Sequence, residues 1–217
     1  MSKLRFTIAM SLDGFAAGPD QSVENPLGLG GMQLHEWAFR LAAWRKPHGL
    51  EGGDVTPSSA VVAEHLAGIG ATIMGRNMFG GQPGPWRQEA PWNGWWGDNP
   101  PFHHPVFVLT HHPRPPLVLE GGTTFTFVTD GIESALRQAR AAARGKDVAL
   151  AGGARAARQY LAAGLVDQME IHLVPVLLGS GERLFEGLGD PPPGLELVRV
   201  IAGEGVTHLK YRVARRE

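Results

Sequence analysis

The most informative absence from this sequence is cysteine, which does not occur among its 217 residues. Without a thiol, the chain cannot form disulfides, bind zinc through cysteine or use a cysteine nucleophile. Dense blocks of lysine and arginine are absent too, and the net charge is -1. Because nucleic acids are bound through clustered positive charge, we expect no nucleic-acid partner.

Long apolar runs are also missing, so we expect no membrane segment, which would need ~20 such residues. The opening stretch "MSKLRFTIAMSLDGF" lacks the unbroken apolar run of a signal peptide. These features predict a soluble, cytoplasmic protein. The composition is 43% hydrophobic and 19% charged, which is typical of globular proteins. No linker divides the chain, and we expect a single domain over residues 1–217.

Strand and helix patterns alternate along most of the chain. Short apolar runs such as "LRFTIAM", "ATIMG", "PVFVLT" and "DVALAG" predict buried strands. Helical spacing is present in "LHEWAFRLAAW", "TPSSAVVAEHL", "GIESALRQARAA" and "ARAARQYLAA". The last two patterns, "LELVRVI" and "VTHLKYRV", alternate in period two and predict an antiparallel hairpin. The expected fold is α/β, with a mainly parallel sheet between two layers of helices.

Helix ends can be predicted from single residues. Thr56 can cap a helix that starts at Pro57, and Gly68 suits its end. Asp130 with Glu133 predicts a start that resembles a capping box.

The stretch "DVALAGGARAARQYL" has two interpretations. Glycines let the backbone approach a ligand, and the N–H groups of the following helix favour an anion. Arg155, in the first turn, could then contact a phosphate. Alternatively, the glycines form an ordinary junction between strand and helix, and Arg155 is solvated.

The order of three motifs favours a ligand site. "TIMGRNMF", "VFVLTHHP" and "LAGGARAARQYL" are apolar strands whose ends carry glycine, hydroxyl, amide or basic side chains. Since the carboxyl ends of parallel strands meet at one edge, they could surround one polyanionic cofactor. The motifs GxGxxG and GxxxxGK[ST] are absent, so a Rossmann-like or flavodoxin-like domain would explain fewer of these features.

With these motifs, the chain resembles the dihydrofolate reductase-like superfamily, in particular the branch related to the C-terminal reductase domain of bacterial riboflavin biosynthesis. "SLDGFAAG" looks like that branch's first-strand signature, and "MGRNMF" is similar to its MGR-x-[ST] segment. "LTHHP", "AGGARAARQYL" and "LVPVLLGSGERLF" resemble further motifs of the branch. The resemblance extends from about Lys3 to Val213.

The resemblance implies a homodimeric, NADPH-dependent reductase. Its substrate would be a small heteroaromatic compound, pteridine-like or pyrimidine-like, or a carbonyl compound, reduced by hydride transfer. A cis peptide is implied between the two glycines of "AGGAR". The implied cofactor-binding residues are Ala9 and Ala16 beside the nicotinamide, Gly75, Arg76 and Asn77 near the phosphates, Thr110 and His111 at the 2′-phosphate, and Gly152, Gly153, Ala154 and Arg155 at the pyrophosphate.

The sequence departs from the family pattern at several positions. True dihydrofolate reductases carry a carboxylate on the helix before the MGR strand, but that place falls near Ser58 and Ser59, and Glu64 lies further along. Ala154 stands for the family's third glycine, and Met78 for its hydroxyl residue. The alternative function is therefore a non-catalytic nucleotide-binding or ligand-binding protein on the same scaffold.

Two acidic residues are candidates for the substrate cleft. Asp13 follows the first strand and is our candidate catalytic residue near the nicotinamide, although Asp-Gly is also a common turn pair. Glu36 lies in an extra segment, where it either lines the cleft or faces water.

The stretch from Trp86 to His104 is rich in tryptophan, proline and glycine. Its rings could stack on a heteroaromatic ligand or cover a pocket, or they could simply pin the loop to the body or to a partner subunit. The pairs His103-His104 and His111-His112 suggest a metal at first sight. Because adjacent side chains on a strand point to opposite faces, neither pair is a chelate, and we expect no metal.

Overall fold

The strands of this computed structural model, which describes residues 2–81, 83–87, 89 and 91–214, form one nine-stranded sheet and one two-stranded sheet. The large sheet has the order β10-β11-β8-β1-β7-β3-β4-β6-β5, and β2 pairs with β9. The strands are β1 (Leu4–Ser11), β2 (Phe15–Ala17), β3 (Ile69–Gly75), β4 (Pro105–Leu109), β5 (Leu117–Val118), β6 (Thr124–Val128), β7 (Asp147–Gly152), β8 (Gln168–Val174), β9 (Glu182–Arg183), β10 (Leu195–Gly203) and β11 (Val206–Val213).

The centre of the large sheet is parallel, which confirms the predicted fold class. β8, β1, β7, β3, β4 and β6 run in one direction. The predicted hairpin of β10 and β11 joins antiparallel to β8, and β5 is antiparallel at the other edge. The helices are α1 (Glu36–Phe39), α2 (Ala42–Arg45), α3 (Pro57–Leu66), α4 (Arg76–Phe79), α5 (Ile132–Ala142) and α6 (Ala154–Ala162).

Helices α5 and α6 cover one face of the sheet. Their apolar side chains recur at helical spacing, so each helix has one buried stripe. Leu136 and Ala139 of α5 and Tyr160 and Leu161 of α6 are almost fully buried against the sheet. The Tyr160 hydroxyl donates a hydrogen bond of 2.7 Å to the Ile132 carbonyl, which ties the two helices together.

The other face is covered by two different structures. Over β1, β8 and β11, Trp37 of α1 packs into an apolar cluster with Ala9 and Val174. Over β3, β4 and β6, the tryptophan-rich loop takes the place of a helix, with Trp86 and Trp96 packed around the β6 strand. This packing supports the interpretation that the tryptophans pin the loop to the body.

Two helix caps were predicted, and one of them was wrong. The Thr56 hydroxyl accepts a hydrogen bond from the Ser59 N–H, and the Ser59 hydroxyl accepts one from the Thr56 N–H. Helix α3 therefore begins with a capping box and with Pro57, as predicted. α5 instead has Gly131 as its cap residue, with no side-chain hydrogen bond there. Asp130 interacts with the Ser134 hydroxyl, which lowers the Asp130 pKa and leaves no capping box.

The helix predicted over residues 34–44 is also interrupted. Leu41 has an extended backbone between α1 and α2, with φ of -76° and ψ of 133°. The reason is a bridge to Asp54, whose carbonyl accepts from the Ala42 N–H at 3.0 Å while its N–H donates to Arg40 at 2.8 Å. Backbone pairing with a distant segment therefore overrides the local helical spacing.

Gly70 in β3 provides a test of the packing between the sheet and α5. An added Cβ would lie 2.5 Å from the Ala143 carbonyl oxygen and 2.8 Å from its Cα. Because both are backbone atoms, we expect Gly70→Ala to lower the free energy of unfolding by about 1–3 kcal/mol in urea denaturation. As a control, exposed Gly194→Ala should cost less than about 1 kcal/mol. Equal losses in the two variants would contradict this packing.

Candidate active site

A cavity of about 600 Å³ lies at the edge of the sheet where the parallel strands end. Its wall includes Gly75 at the end of β3, Thr110 after β4, Thr129 after β6 and Gly153 after β7. Because these strands are parallel neighbours, their carboxyl ends meet at one place. The volume suits a cofactor together with a small molecule.

The structure brings most of the predicted cofactor residues to this one cavity, and three predicted site residues do not line it. Those three are Ala9, Asp13 and Gly152. The binding roles of all these residues stay predictions. The predicted residues that line the cavity are Ala16, Gly75, Arg76, Asn77, Thr110, His111, Gly153, Ala154 and Arg155.

The glycine turn before α6 is shaped for close approach of a ligand. Gly153 is the cap residue of α6, and a Cβ added to it would point into open space. Gly152 has a φ of +122°, and the peptide bond between the two glycines is cis. The backbone N–H groups at the start of α6 have no partner within their own helix. The turn therefore presents donors to the cavity with no side chain in front of them.

Gly75 joins β3 closely to the same turn. An added Cβ on Gly75 would lie 3.4 Å from the Ala156 Cβ and 3.6 Å from the Gly153 nitrogen. The end of β3 and the start of α6 thus form one continuous wall of the cavity.

Arg155 lies on the cavity wall with its side chain 75% exposed. Its Nε is 3.9 Å from a carboxylate oxygen of Glu182, which also lines the cavity. Since an exposed ion pair at this distance stabilises the fold very little, Arg155 is free to turn toward an anion.

Arg76 is held by the tryptophan-rich loop. Its guanidinium carbon lies 3.4 Å from the centre of the Trp86 ring, and Nη1 donates to the Gly80 carbonyl. Burial, with a smaller contribution from Arg114, lowers the Arg76 pKa to about 10, so the side chain remains cationic at neutral pH. Asn77, the next residue in α4, is exposed on the cavity wall.

Thr110 and His111 form the wall beyond β4. The Thr110 hydroxyl accepts a hydrogen bond of 3.1 Å from the His112 N–H, which fixes the turn. The His112 carbonyl accepts from the Trp86 indole at 2.8 Å. This turn leaves the His111 side chain exposed at the cavity.

Asp13 supports a turn beside the cavity. Its carboxylate accepts hydrogen bonds from the Ser11 hydroxyl at 2.6 Å and from the N–H groups of Leu178 and Gly179 at 3.1 and 2.7 Å. The Ser11 bond, with those backbone bonds, lowers the Asp13 pKa to about 2. This geometry favours the turn interpretation, and the catalytic role of Asp13 stays a prediction.

Sequence reasoning missed the wall contributed by residues 18–35. Gln21, Pro26, Leu27 and His35 line the cavity, although no motif in this stretch predicted a ligand contact. The close packing of this segment requires glycine at position 18, because a Cβ added to Gly18 would lie 1.9 Å from the Leu29 carbonyl oxygen.

Glu36 and the tryptophan-rich loop have different relations to the cavity. Glu36 is exposed and does not line it, which supports the interpretation that it faces water. Trp95 and Trp96 do line it, so the loop both packs on the body and contributes to the wall. The Trp95 indole donates to the Met78 carbonyl at 3.0 Å.

The described residues contain neither a cluster of metal ligands nor a membrane-spanning helix. Within this part of the chain, no group of histidine and acidic side chains is arranged to hold a metal. None of its helices is both long enough and apolar enough to cross a membrane.

The Asp13 hydrogen bonds predict a pH-dependent contribution to stability. Since the pKa is lowered from 3.8 to about 2, the ionised carboxylate stabilises the fold above pH 3.8, and this stabilisation is lost as the pH falls toward 2. Asp13→Asn should therefore lower the urea midpoint at pH 7, and the difference from wild type should shrink between pH 4 and pH 2. A difference that is constant over this range would contradict the bonding described.

Comparisons with known proteins agree with this fold. A putatively assigned riboflavin biosynthesis protein from Shewanella sp. PV-4 shares 19% identity and a TM-score of 0.62, covering 99% of this chain and 100% of its own. RibD of Acinetobacter baumannii shares 18% identity and a TM-score of 0.59, covering 99% of this chain, which spans 58% of that one. Dihydrofolate reductase from Enterococcus faecalis, complexed with NADP(H), shares 12% identity and a TM-score of 0.50, covering 97% and 96%.

These structural likenesses show the fold, and no curated protein matches the chain. The model of the RibD C-terminal domain matches residues 2–209. The chain therefore belongs to the RibD C-terminal domain family.

Proposed function

We propose that this protein is an NADPH-dependent reductase that transfers hydride to a small heteroaromatic or carbonyl substrate. The observation that carries the proposal is the convergence of three strand ends and the start of α6 on one cavity. Family membership supports a reductase of the type found in the riboflavin pathway. The Enterococcus relative complexed with NADP(H) supports the choice of cofactor.

The residues on the cavity wall fit a dinucleotide. The start of α6 offers backbone donors and a favourable dipole, and the open space beside Gly153 leaves room for a pyrophosphate. Arg155 adds an exposed cation at the same point. Thr110 and His111 would contact the 2′-phosphate, and Asn77 would approach the phosphates from α4.

The nicotinamide would supply the hydride, and the protein would supply orientation and a dry surface. Ala16 and Ala17 of β2 and Ile8 of β1 form an apolar part of the wall. Such a wall excludes water from the place where the hydride is transferred. Ala9 lies on the opposite face of β1 from Ile8, so its proposed contact with the nicotinamide would be through the backbone.

The remaining wall favours a flat substrate. Leu27, Trp95 and Trp96 are apolar and suit a heteroaromatic ring, while Gln21 and His35 offer polar groups. The helix carboxylate of true dihydrofolate reductases has no counterpart at Ser58 or Ser59, so we propose a pteridine-like or pyrimidine-like substrate other than folate.

We also propose that the protein works as a homodimer in the cytoplasm, as the resemblance implies. Exposed apolar side chains on the edge strand β10 support a second copy as partner. Leu195 and Leu197 are 48% and 55% exposed, and Val200 is 53% exposed.

The function is tested by binding and turnover measured separately. NADPH should quench tryptophan fluorescence with a Kd below the millimolar range, and more tightly than NADH. NADPH oxidation should then occur with at least one member of a pteridine and pyrimidine panel. Failure of both cofactors to bind at millimolar concentration would exclude the reductase. Binding without oxidation across the panel would favour a non-catalytic nucleotide-binding protein.

Arg155 tests the location of the pyrophosphate. We expect Arg155→Ala to raise the Kd for NADPH by about tenfold, since the lost contact is charge-assisted but exposed. The matched control is Arg137→Ala on α5, an exposed arginine that does not line the cavity. It should leave the Kd unchanged. Equal affinity of wild type and Arg155→Ala would place the pyrophosphate elsewhere.

A further inference from the structure

The segment of residues 18–35 forms a closely packed wall of the cavity. Its first part is closed by two backbone hydrogen bonds. The Gly18 N–H donates to the Leu27 carbonyl at 2.9 Å, and the Leu29 N–H donates to the Pro19 carbonyl at 2.8 Å. Backbone atoms therefore give this part of the wall a definite shape, which does not depend on a ligand.

His35 ends this segment, and its backbone is held on both sides. The His35 N–H donates to the Met32 carbonyl at 2.9 Å, and the His35 carbonyl accepts from the Ala38 N–H at 2.9 Å. The neighbouring residues are anchored in the core, since Leu34 is fully buried and the Trp37 indole donates to the Leu34 carbonyl at 3.0 Å. The point from which the imidazole extends is therefore fixed before a ligand binds.

His35 lies beside the part of the wall that we assign to the nicotinamide. The turn before it, Gly31–Leu34, packs against β2, since a Cβ added to Gly31 would lie 3.9 Å from the Ala17 Cα. Ala17 and His35 both line the cavity. A substrate placed against this wall would therefore meet His35.

The imidazole of His35 forms no hydrogen bond with any residue that the structure describes. It is partly buried on the cavity wall, and this burial lowers its pKa below the usual value, so the ring is neutral at pH 7. Gln21 on the same wall differs, because its Nε2 already donates to the Pro26 carbonyl at 2.9 Å. Since polar groups withdrawn from water are nearly always hydrogen-bonded, the ring nitrogens of His35 indicate a ligand.

A neutral imidazole matches a neutral polar group. It has one N–H donor and one acceptor nitrogen, and the tautomer decides which of them faces the cavity. It can therefore accept from a ring N–H or donate to a ring carbonyl, which are the two groups of a cyclic amide. A carboxylate or phosphate would be held better by a cation. Leu27, Trp95 and Trp96 on the same wall suit the flat faces of such a ring.

We propose that His35 is a specificity-determining residue that binds the cyclic amide edge of the substrate ring. This inference rests on the proposed reductase function and names the residue that recognises its substrate. The hydrogen bond orients the ring in the cavity. It contributes to the affinity for the substrate and not to the affinity for NADPH.

The test uses quinazoline-2,4-dione, a flat two-ring cyclic amide. Its Kd is measured by titration calorimetry on protein saturated with NADP⁺, which cannot donate hydride. His35→Phe keeps a flat ring and removes the hydrogen bond, so we expect the Kd for the dione to rise about tenfold. His35→Gln keeps a donor and an acceptor, and its Kd should stay within about threefold of the wild-type value.

Quinazoline has the same two rings without the N–H and C=O groups of the dione. Its Kd should change less than about threefold in His35→Phe, so this variant should lose most of the preference for the dione. His48→Phe is the matched control, since His48 is exposed, stacks on Trp44 and does not line the cavity. It should leave both Kd values unchanged.

The outcomes separate this inference from the proposed function. Equal losses of affinity for the dione and for quinazoline in His35→Phe would overturn the role of His35, as would a wild type that does not bind the dione at millimolar concentration. We expect both His35 variants to keep the wild-type affinity for NADP⁺. A parallel loss of NADP⁺ affinity would show that His35 only maintains the cavity and would also overturn the inference. Failure of the wild type to bind or oxidise NADPH would instead refute the proposed function.

Discussion

The close approach of β3 to the start of α6 is the constraint on which the site depends. A Cβ on Gly75 would lie in van der Waals contact with the Gly153 nitrogen, and a Cβ on Gly153 would point into the open space at the start of α6. Parallel pairing of β3 with β7 and β4 then brings the neighbouring strand ends to the same edge. If either glycine carried a large side chain, the donors of α6 would be screened from the cavity. The binding surface is thus a consequence of backbone geometry more than of individual charged groups.

Much of the fold could be predicted because it depends on local sequence patterns and on the order of these patterns along the chain. The "AGGARAARQYL" stretch contains a strand end, a turn and a helix start, and all three occur where expected. The same holds for the capping box at Thr56 and the hairpin of β10 and β11. Three such motifs in the right order predicted one shared cavity, since parallel strands end together.

The features that sequence reasoning missed depend on contacts between distant residues. The break at Leu41 is caused by pairing with Asp54, and the wall near His35 depends on how residues 18–35 fold back on β2. The hydrogen bonds from Ser58 to His208 and from His208 to His172 join α3, β11 and β8, which are far apart in sequence. The sequence showed that the expected helix carboxylate is missing near Ser58, but no local pattern predicted that the Ser58 hydroxyl contacts His208.

The central claim is that the strand ends and α6 form a binding site for NADPH. The most direct measurement is a crystal structure of the protein with NADP⁺. We predict that the pyrophosphate lies at the start of α6, beside Gly153 and Arg155, and that the nicotinamide lies against Ala16. A dinucleotide bound away from the start of α6, or absent from the cavity at saturating concentration, would contradict the account.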